Sequence, residues 1–370
     1  MPTRSSLPSL TTTDALADGG NPAQTPAFLG YRWPAEWEAH EATWLSWPHN
    51  RDTWPGCLEA VEDTFGTIVR ELSLRERVCI NIANPAMVDR AKACLQRAGV
   101  EPDAPVDFFE IATDDAWIRD HGPIFVVREA DGKAEKALVD FGFDAWGKKY
   151  PPWDQDNAVP RHIAAATGLR RFEADFTLEA GSIDGNGKGV VLTTESCLLH
   201  PNRGPGRTRE EMATRLAENL GVQQVLWLGG GIEGDDTDGH VDELTRFVST
   251  QTLVTAVEAD PGDSNYRPLQ ENLQRLRSMS RPDGGRFEIA SLPMPCVRDL
   301  AGSRYPASYA NFYLANGVAL VPTFGLPSDE LATAILREVL SGREIIGIPS
   351  RDLVVGLGSL HCLTQQEPAI

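Results

Sequence analysis

The sequence predicts an α/β fold in which one unit, made of strands plus one helix, recurs along the chain. Strands and helices alternate near the N-terminus. Later segments are strand pairs with turn signals, followed by helical stretches. The length of 370 residues also exceeds what one simple hydrophobic core usually serves, which favours two domains or repeated units.

Local patterns assign the elements in order. Residues 42–47 (ATWLSW) predict a buried strand that ends at Pro48, and CLEAVEDTFGTIVRELS has apolar residues at helical spacing. VCINIA predicts a short strand, and MVDRAKACLQRAG predicts a helix closed by Gly99. The later strand pairs are PIFVVREADGKAEKALVDF, GVVLTTESCLL, TRFVSTQTLVTAV and YLANGVALVPTF, and the later helices are REEMATRLAENLG, NYRPLQENLQRLR and DELATAILREVLSG.

Polar residues stand just ahead of the strands at a recurring interval. They are Asp120, Glu179, His240 with Asp242, Asn311 and Cys362, and the successive gaps are 59, 61, 71 and 51 residues. A period of about sixty residues fits one strand-rich unit. If the units close into a ring, each places the same edge at the centre. Closure would then hold Cys362, only eight residues from the C-terminus, with the ATWLSW strand completing the last unit.

Composition and charge limit the classes of function. A hydrophobic content of 41% with 24% charged residues is ordinary for a globular protein, and no stretch approaches the roughly 18 apolar residues of a membrane span. The net charge of −19 disfavours nucleic acid and anionic membranes as partners and favours a small cationic substrate. The same charge also fits an acidic surface that keeps a protein dissolved. The oligomeric state stays open, with a homo-oligomer among the expectations.

Cysteine usage and the N-terminal segment indicate the compartment. The six cysteines include no CxxC pair, so a disulfide framework and structural zinc are disfavoured, and we expect most of the thiols to be buried. Residues 1–26 contain Ser, Thr, Pro and Gly without the apolar core of a secretory signal. We therefore expect a disordered leader over residues 1–26 and a cytoplasmic protein.

The segment DGHVDE carries a candidate catalytic pair. His240 and Asp242 are two residues apart, so on an extended chain both side chains point to one face. A histidine that exchanges protons beside a cation-binding carboxylate fits catalysis, and an acidic surface loop is the structural alternative. In SLHC, His361 and Cys362 would face opposite sides of an extended segment, so His240 is the better base for Cys362.

Two further segments carry candidate binding groups. In DDAWIRD, Trp117 and Asp120 have the spacing of a helical turn, and an aromatic face with a carboxylate suits a planar cation. A core tryptophan with Arg119 paired to an acid is the structural alternative. Glu179 in LEAGS, taken alone, is typical of a solvated loop. A metal-dependent hydrolase is a second functional alternative, with four candidate ligands: Asp235, Asp236, His240 and Asp242.

On these residues, the chain resembles the agmatine deiminases of the guanidine-modifying, or amidinotransferase-like, superfamily, which includes the bacterial peptidylarginine deiminase type. The resemblance covers nearly all of the chain after residue 26. It rests on GYRWPAEWEAHEATWLSWPHNRDTWPG, DDAWIRDHGPIFVV, DFGFDAWGKKYPPWDQDN, LEAGSID, TDGHVDELTRFV, SYANFYLANG and GSLHCLTQQEP. It implies that residues 27–370 form a single catalytic domain, a pseudo-fivefold β/α propeller of ββαβ units.

The resemblance also implies the chemistry. Cys362 would be the nucleophile and His240 the general acid and base of a hydrolase that acts on the C–N bonds of linear amidines. Agmatine would yield N-carbamoylputrescine and ammonia through a covalent amidino-cysteine, without a cofactor or a metal. The pocket residues implied are Trp117 as its lining, Asp120 and Asp242 as the carboxylates that grip the guanidinium, and Glu179 as the partner of His240 or of a guanidinium nitrogen.

The chain departs from the family pattern in two places. Ala180-Gly181-Ser182 stands where the family usually has Gly-Gly-Ser, and residues 356–359 (GLGS) stand where it has three glycines and an asparagine. Leu357 adds a side chain where the backbone would approach a substrate. Another alkylguanidine or peptidyl-arginine is therefore an alternative substrate, and a catalytically silent binding protein is an alternative use of the same scaffold.

Overall fold

The computed structural model describes residues 24–370, so the expected leader lies outside the described residues except for its last three positions. In the described part, sixteen strands form five small sheets of a mixed α/β fold. The strands are β1 (His40–Ser46), β2 (Arg77–Ile82), β3 (Val106–Glu110), β4 (Ile124–Ala130), β5 (Lys133–Gly142), β6 (Arg170–Thr177), β7 (Ile183–Gly185), β8 (Val190–Thr194), β9 (Gln224–Leu228), β10 (Thr245–Phe247), β11 (Thr252–Val257), β12 (Glu288–Pro293), β13 (Tyr313–Ala315), β14 (Val318–Thr323), β15 (Glu344–Pro349) and β16 (Gln365–Pro368). The helices are α1 (Leu58–Ser73), α2 (Pro85–Arg97), α3 (Ile118–His121), α4 (Ala145–Lys148), α5 (Val159–Thr167), α6 (Glu195–Leu198), α7 (Arg209–Leu220), α8 (Tyr266–Ser278) and α9 (Ser328–Val339).

One connection pattern repeats in all five sheets. A first strand pairs antiparallel with a second, and a helix then leads to a third strand that runs parallel to the second. Four sheets follow it as β4-β5-β6 with α5, β7-β8-β9 with α7, β10-β11-β12 with α8, and β13-β14-β15 with α9. The predicted recurring unit of strands plus one helix is confirmed.

The fifth unit joins the two ends of the chain. The C-terminal strand β16 pairs antiparallel with β1, α1 then leads to β2 parallel to β1, and α2 adds β3 to the same sheet. Thr43 lies opposite Gln366 and Trp44 opposite Gln365. The ATWLSW strand therefore completes the last unit as expected, and strand pairing holds the segment around Cys362 in place.

Local sequence explains the element ends. Asn84 accepts a hydrogen bond from the backbone N–H of Met87 and caps α2, whose first residue is proline. Thr208 caps α7 in the same way, and Gly221 ends that helix with the left-handed φ of 71° that glycine tolerates. Strand β8 (VVLTT) lies between two neighbours and is buried at every position, which accounts for its unbroken apolar start.

The units bring the predicted polar residues to equivalent positions. Each residue of the series lies just before the first strand of its unit: Asp120 in α3 ahead of β4, Glu179 ahead of β7, His240 and Asp242 ahead of β10, Asn311 ahead of β13, and Cys362 ahead of β16. These short segments contact one another, since α3 and the residues ahead of β10 both pack against residues 180–182. The repeat thus places polar side chains of the candidate site at an equivalent position in every unit, just ahead of the first strand.

A buried arginine connects these units. Arg246 on β10 is completely buried, pairs with Asp184 on β7, and lies 2.7 Å from Glu36 of the segment ahead of β1. Its guanidinium also donates to the carbonyl of Phe312, at a distance of 2.9 Å.

Within residues 24–370, no helix is both long and apolar enough to cross a membrane.

We expect Arg246→Met to destabilise the fold by about 3–5 kcal/mol, because it leaves two buried carboxylates without their cation. Denaturant unfolding of the purified protein measures this difference. The matched control is Arg51→Met, which removes an arginine from an exposed ion pair with Glu59 and should change stability little. Equal stability of the two variants would contradict the assigned role of Arg246.

Candidate active site

Three of the predicted site residues meet around Gly181. A β-carbon on Gly181 would lie 2.6 Å from Nδ1 of His240, 2.7 Å from Oδ1 of Asp120 and 3.0 Å from Oδ2 of Asp242. The backbone N–H of Gly181 donates to Oδ1 of Asp120 at 3.2 Å. Side chains from two units therefore converge on a glycine of a third unit, and any larger residue at that position would separate them.

The carboxyl group of Asp120 has fixed partners. Its Oδ2 accepts from the indole N–H of Trp146 at 3.0 Å, and its Oδ1 lies 3.7 Å from Nδ1 of His240. The pKa of Asp120 is raised to about 6, mainly by burial and also by the carboxylates of Asp242 and Glu179. The charge of His240 acts in the opposite direction and lowers this pKa. The group therefore changes charge within a range that experiments reach easily.

His240 is buried, and neither ring nitrogen has a hydrogen-bond partner within residues 24–370. Burial alone would lower its pKa, but Asp120 foremost, then Cys197 and Asp242, hold the pKa well above its usual value. The expected extended geometry of DGHVDE is wrong, because residues 241–243 form a 3₁₀ turn. His240 and Asp242 nevertheless point to the same place.

Cys362 lies in the turn that leads into β16 and is buried. Its Sγ is 3.2 Å from Nδ2 of Asn311, 3.8 Å from Oδ2 of Asp242 and 3.9 Å from Oε1 of Glu243. Burial raises the pKa of the thiol well above its ordinary value, and Asp242, Glu243 and Asp120 raise it further. The thiol therefore needs additional positive charge to ionise near neutral pH.

His361 contacts Asp242 and Glu36. The segment around it is a turn, so the extended geometry assumed for SLHC is also wrong. Nδ1 of His361 is hydrogen-bonded to Oδ2 of Asp242 at 2.7 Å, and Nε2 to Oε2 of Glu36 at 2.8 Å. Burial by itself raises the pKa of Asp242, but His361, followed by His240 and Arg246, brings it below its usual value. His361 thus keeps Asp242 ionised and fixes its orientation.

Glu179 is held by a different cation from the one expected. Both of its oxygens accept from Nε of Arg203, at 3.0 and 3.3 Å, and both side chains are fully buried. One atom each of Glu179, His240 and Cys197 lies within 4.8 Å of the other two. Glu179 therefore borders His240, and its carboxylate is already neutralised by Arg203.

Trp117 supports the loop that carries Cys362. Its ring packs against Trp54 with centroids 5.2 Å apart, and β-carbons on Gly356 and Gly358 would lie 2.9 and 2.6 Å from its ring atoms. Between these glycines, Leu357 has a φ of 68°, a left-handed conformation that favours glycine. Glycine is needed at positions 356 and 358 because any side chain there would collide with the ring of Trp117. Leu357 has a left-handed backbone conformation that glycine would adopt at less cost.

Several residues around the site were not predicted as site residues. Asn311 belonged to the periodic series but received no role, and Glu243 directly follows Asp242 in DGHVDE, so a local signal existed for both. Trp146, Arg203 and Cys197 gave no such signal, because only the folded chain brings them to Asp120, Glu179 and His240. Among the other five cysteines, Cys197 lies beside an acid and a base, Glu179 and His240.

The metal-hydrolase alternative receives no support from the positions of Asp235 and Asp236. Oδ1 of Asp235 accepts from the backbone N–H and the hydroxyl of Thr237, and Asp236 accepts from the hydroxyl of Tyr150. Among residues 24–370, no trio of histidine, cysteine and carboxylate side chains within 4.8 Å of one another includes either aspartate.

Comparisons with known proteins identify the family of the chain. A family model described as Porphyromonas-type peptidyl-arginine deiminase matches residues 32–368. The agmatine deiminase of Pseudomonas aeruginosa (strain LESB58) is 36% identical to the chain, and the alignment covers 94% of this chain and 98% of that relative. The agmatine deiminase of Ectopseudomonas mendocina (strain ymp) is 35% identical, and the alignment covers 93% of this chain and 97% of that relative.

Solved structures are similar over the same extent. The agmatine deiminase of Enterococcus faecalis superposes with a TM-score of 0.86 at 31% identity, covering 93% of this chain and 97% of that one. A C. jejuni agmatine deiminase with substrate bound gives a TM-score of 0.83 at 32% identity, covering 92% and 96%. The family match and these relatives span almost all of the described residues, and the chain therefore belongs to the Porphyromonas-type peptidyl-arginine deiminase family.

Proposed function

We propose that this protein hydrolyses the guanidinium group of agmatine to N-carbamoylputrescine and ammonia. The observation that carries the proposal is a set of unpaired polar atoms around a thiol. Within residues 24–370, Oδ1 of Asp242 and Oε2 of Glu243 are buried without a hydrogen-bond partner. Buried polar groups are normally satisfied, so this site matches a planar cation that donates several N–H bonds.

The names of the relatives support the same substrate. The two curated relatives and the two solved structures described above are called agmatine deiminases, and one of these structures has its substrate bound. We assign the grip on the guanidinium to Asp120 and Asp242, and the lining near the nucleophile to Trp117. Glu179 borders His240 in this assignment, because Arg203 already occupies its carboxylate.

In the first chemical step, Sγ of Cys362 attacks the guanidinium carbon. The bound cation and the imidazolium of His240 offset the acids that keep the thiol protonated, so the thiol releases its proton to solvent, where it later converts ammonia to ammonium, and the thiolate forms where it is used. A new C–S bond gives a tetrahedral carbon, the C–N bond then breaks, and ammonia leaves with a proton from His240. An amidino group remains on Cys362.

In the second step, water attacks the same carbon and gives up its proton to His240, which is neutral after the first step. The C–S bond breaks, the ureido product leaves, and the thiol is restored. The sum is one guanidinium and one water converted to one ureido group and ammonium. These steps require no cofactor.

The contacts of two arginines, Arg203 and Arg207, support a substrate without an α-carboxylate. Arg203 donates through all three guanidinium nitrogens, to Glu179, Asn202, Asp238 and the carbonyl of Thr237. Arg207 donates to the carbonyl of Thr177 and lies beside the ring of Phe176. Arg203 could therefore receive a carboxylate only by losing existing partners.

The architecture belongs to the same proposal. We infer that the five sheets surround a pseudo-fivefold axis as a β/α propeller of ββαβ units, and that residues 27–370 are a single catalytic domain. The support is the fivefold repeat of one connection pattern, the pairing of β1 with β16, and the equivalent positions of the polar residues. Six unpaired thiols favour a reducing compartment, and we propose the cytoplasm.

Cys362→Ser should lose essentially all ammonia release while keeping its fold, because a serine hydroxyl stays protonated where a thiol can ionise. Mass spectrometry of wild-type protein quenched during turnover should find one added amidino group on the C-terminal peptide. The buried Cys79→Ser is the matched control and should remain active. An adduct on another cysteine, or an active Cys362→Ser enzyme, would remove Cys362 from the mechanism.

Agmatine should have a kcat/KM at least about a hundredfold above that of free arginine or of a peptide with a C-terminal arginine, because their α-carboxylate would be an unpaired charge in a buried site, which costs several kcal/mol, and each 1.4 kcal/mol is tenfold. Ammonia release from the three compounds, measured in parallel, gives the ratio. Comparable values for agmatine and an arginine peptide would favour the peptidyl-arginine alternative.

The value of kcat/KM should fall as the pH drops below about 6, because Asp120 loses its negative charge through its raised pKa of about 6 and then attracts the guanidinium less. A bound cation stabilises the carboxylate, so the corresponding fall in kcat should occur at lower pH. Steady-state kinetics from about pH 4.5 to 8 measure both profiles. A kcat/KM without an acid limb in this range would contradict the role given to Asp120.

A further inference from the structure

Asn311 is fully buried in the segment ahead of β13, and its side chain connects three groups of the site. Its Nδ2 lies 3.2 Å from Sγ of Cys362 and 2.8 Å from Oε1 of Glu243. Its Oδ1 accepts from the backbone N–H of His361 at 3.0 Å. The amide therefore lies between the nucleophile, a neighbouring carboxyl group and the turn that carries the nucleophile.

These contacts define which way the amide points. A backbone N–H can only donate, so the atom of Asn311 facing His361 has to be the oxygen. The two hydrogens of Nδ2 then point toward the other two contacts, one to Glu243 and one to the sulfur. A flipped amide would place two donors against each other at His361 and an oxygen against the sulfur.

We propose that Asn311 is a catalytic residue that donates a hydrogen bond to Sγ of Cys362 and stabilises the thiolate, and that Glu243 is the positioning residue that orients this amide. The inference rests on the proposed deiminase function, in which that thiolate attacks the guanidinium carbon. A hydrogen bond to the charged form of a group favours its ionisation.

The surroundings of the sulfur explain why such a donor is needed. Asp242, Glu243 and Asp120 face the thiol and oppose its ionisation, in addition to burial, while the backbone N–H of Ser359 favours it. Asn311 adds a neutral donor that brings no positive charge to repel a cationic substrate. Burial, followed by the charge of Asp242, raises the pKa of Glu243 well above its usual value, which favours its neutral form in the free site and weakens its effect on the thiol.

The test measures the thiolate without any guanidine. At a fixed pH below the pKa of the thiol, alkylation of Cys362 by iodoacetamide follows its thiolate fraction. We expect Asn311→Leu, which keeps most of the side-chain volume, to slow this alkylation about tenfold, equivalent to a rise of about one unit in the thiol pKa. Peptide mapping by mass spectrometry separates Cys362 from the other five cysteines.

A matched control tests whether the loss of any buried asparagine has this effect. Asn272 is equally buried, accepts from the backbone N–H of Gly229 at 2.8 Å and donates to the carbonyl of Gly230 at 3.0 Å, away from the thiol. Asn272→Leu should leave the alkylation rate of Cys362 unchanged. A fall of equal size in the control would overturn the proposal, as would unchanged or faster alkylation in Asn311→Leu.

Two further variants complete the test. If Asn311→Leu does not fold, Asn311→Ala replaces it, because the smaller side chain needs no extra space and the same slowing is expected. Glu243→Gln should change the alkylation rate less than about twofold, since it replaces one neutral group by another that can still accept from Asn311. Clearly faster alkylation in Glu243→Gln would show an ionised Glu243 and overturn its neutral role. Because the readout uses no substrate, a failure of agmatine turnover would refute the proposed function without affecting this result.

Discussion

The carboxylate of Glu36 is the interaction on which the site depends. Its Oε2 is 2.7 Å from Arg246 and 2.8 Å from His361, and its Oε1 accepts from the backbone N–H of Leu314 at 2.7 Å. Burial opposes its ionisation, but Arg246 and His361 hold its pKa well below the usual value. These partners come from different units, and His361 passes the constraint on to Asp242. One buried charge near the start of the described chain thus orients a functional carboxylate whose own residue lies far along the sequence.

The electrostatics of the site contain a conflict that a bound cation resolves. In addition to burial, the carboxyl groups suited to hold a guanidinium raise the pKa of Cys362, and Asp120 and Asp242 also raise the pKa of His240. In the proposed mechanism, the bound cation lowers the pKa of the Cys362 thiol, so the thiolate forms when substrate is present. The network of His361 and Arg246 keeps Asp242 ionised, whereas Glu243 next to it is neutral because burial and Asp242 both oppose its charge. Two adjacent acids therefore differ in charge because their partners differ.

Much of this arrangement could be read from residue order. The periodic placement of polar residues ahead of strands indicated that Asp120, His240 and Cys362 would occupy equivalent positions, and the repeated connection pattern of the sheets accounts for that spacing. The errors came from local geometry. The extended geometry expected for DGHVDE and SLHC is wrong, because both segments form turns in which Asp242, Glu243 and His361 reach partners on other units. Alternation along a strand does not describe residues whose positions are set by long-range hydrogen bonds.

The sequence by itself determined the repeating α/β unit, the pairing of the first strand with the last segment, and the residue types that form the site. These follow from hydrophobic periodicity and from spacing, which are properties of the chain alone. The tertiary structure decided which partner each polar group receives: Arg203 for Glu179, His361 for Asp242, and Asn311 for Cys362. The physical reason is that a buried polar group must be paired within a few ångströms, and which groups come that close depends on how all five units pack together.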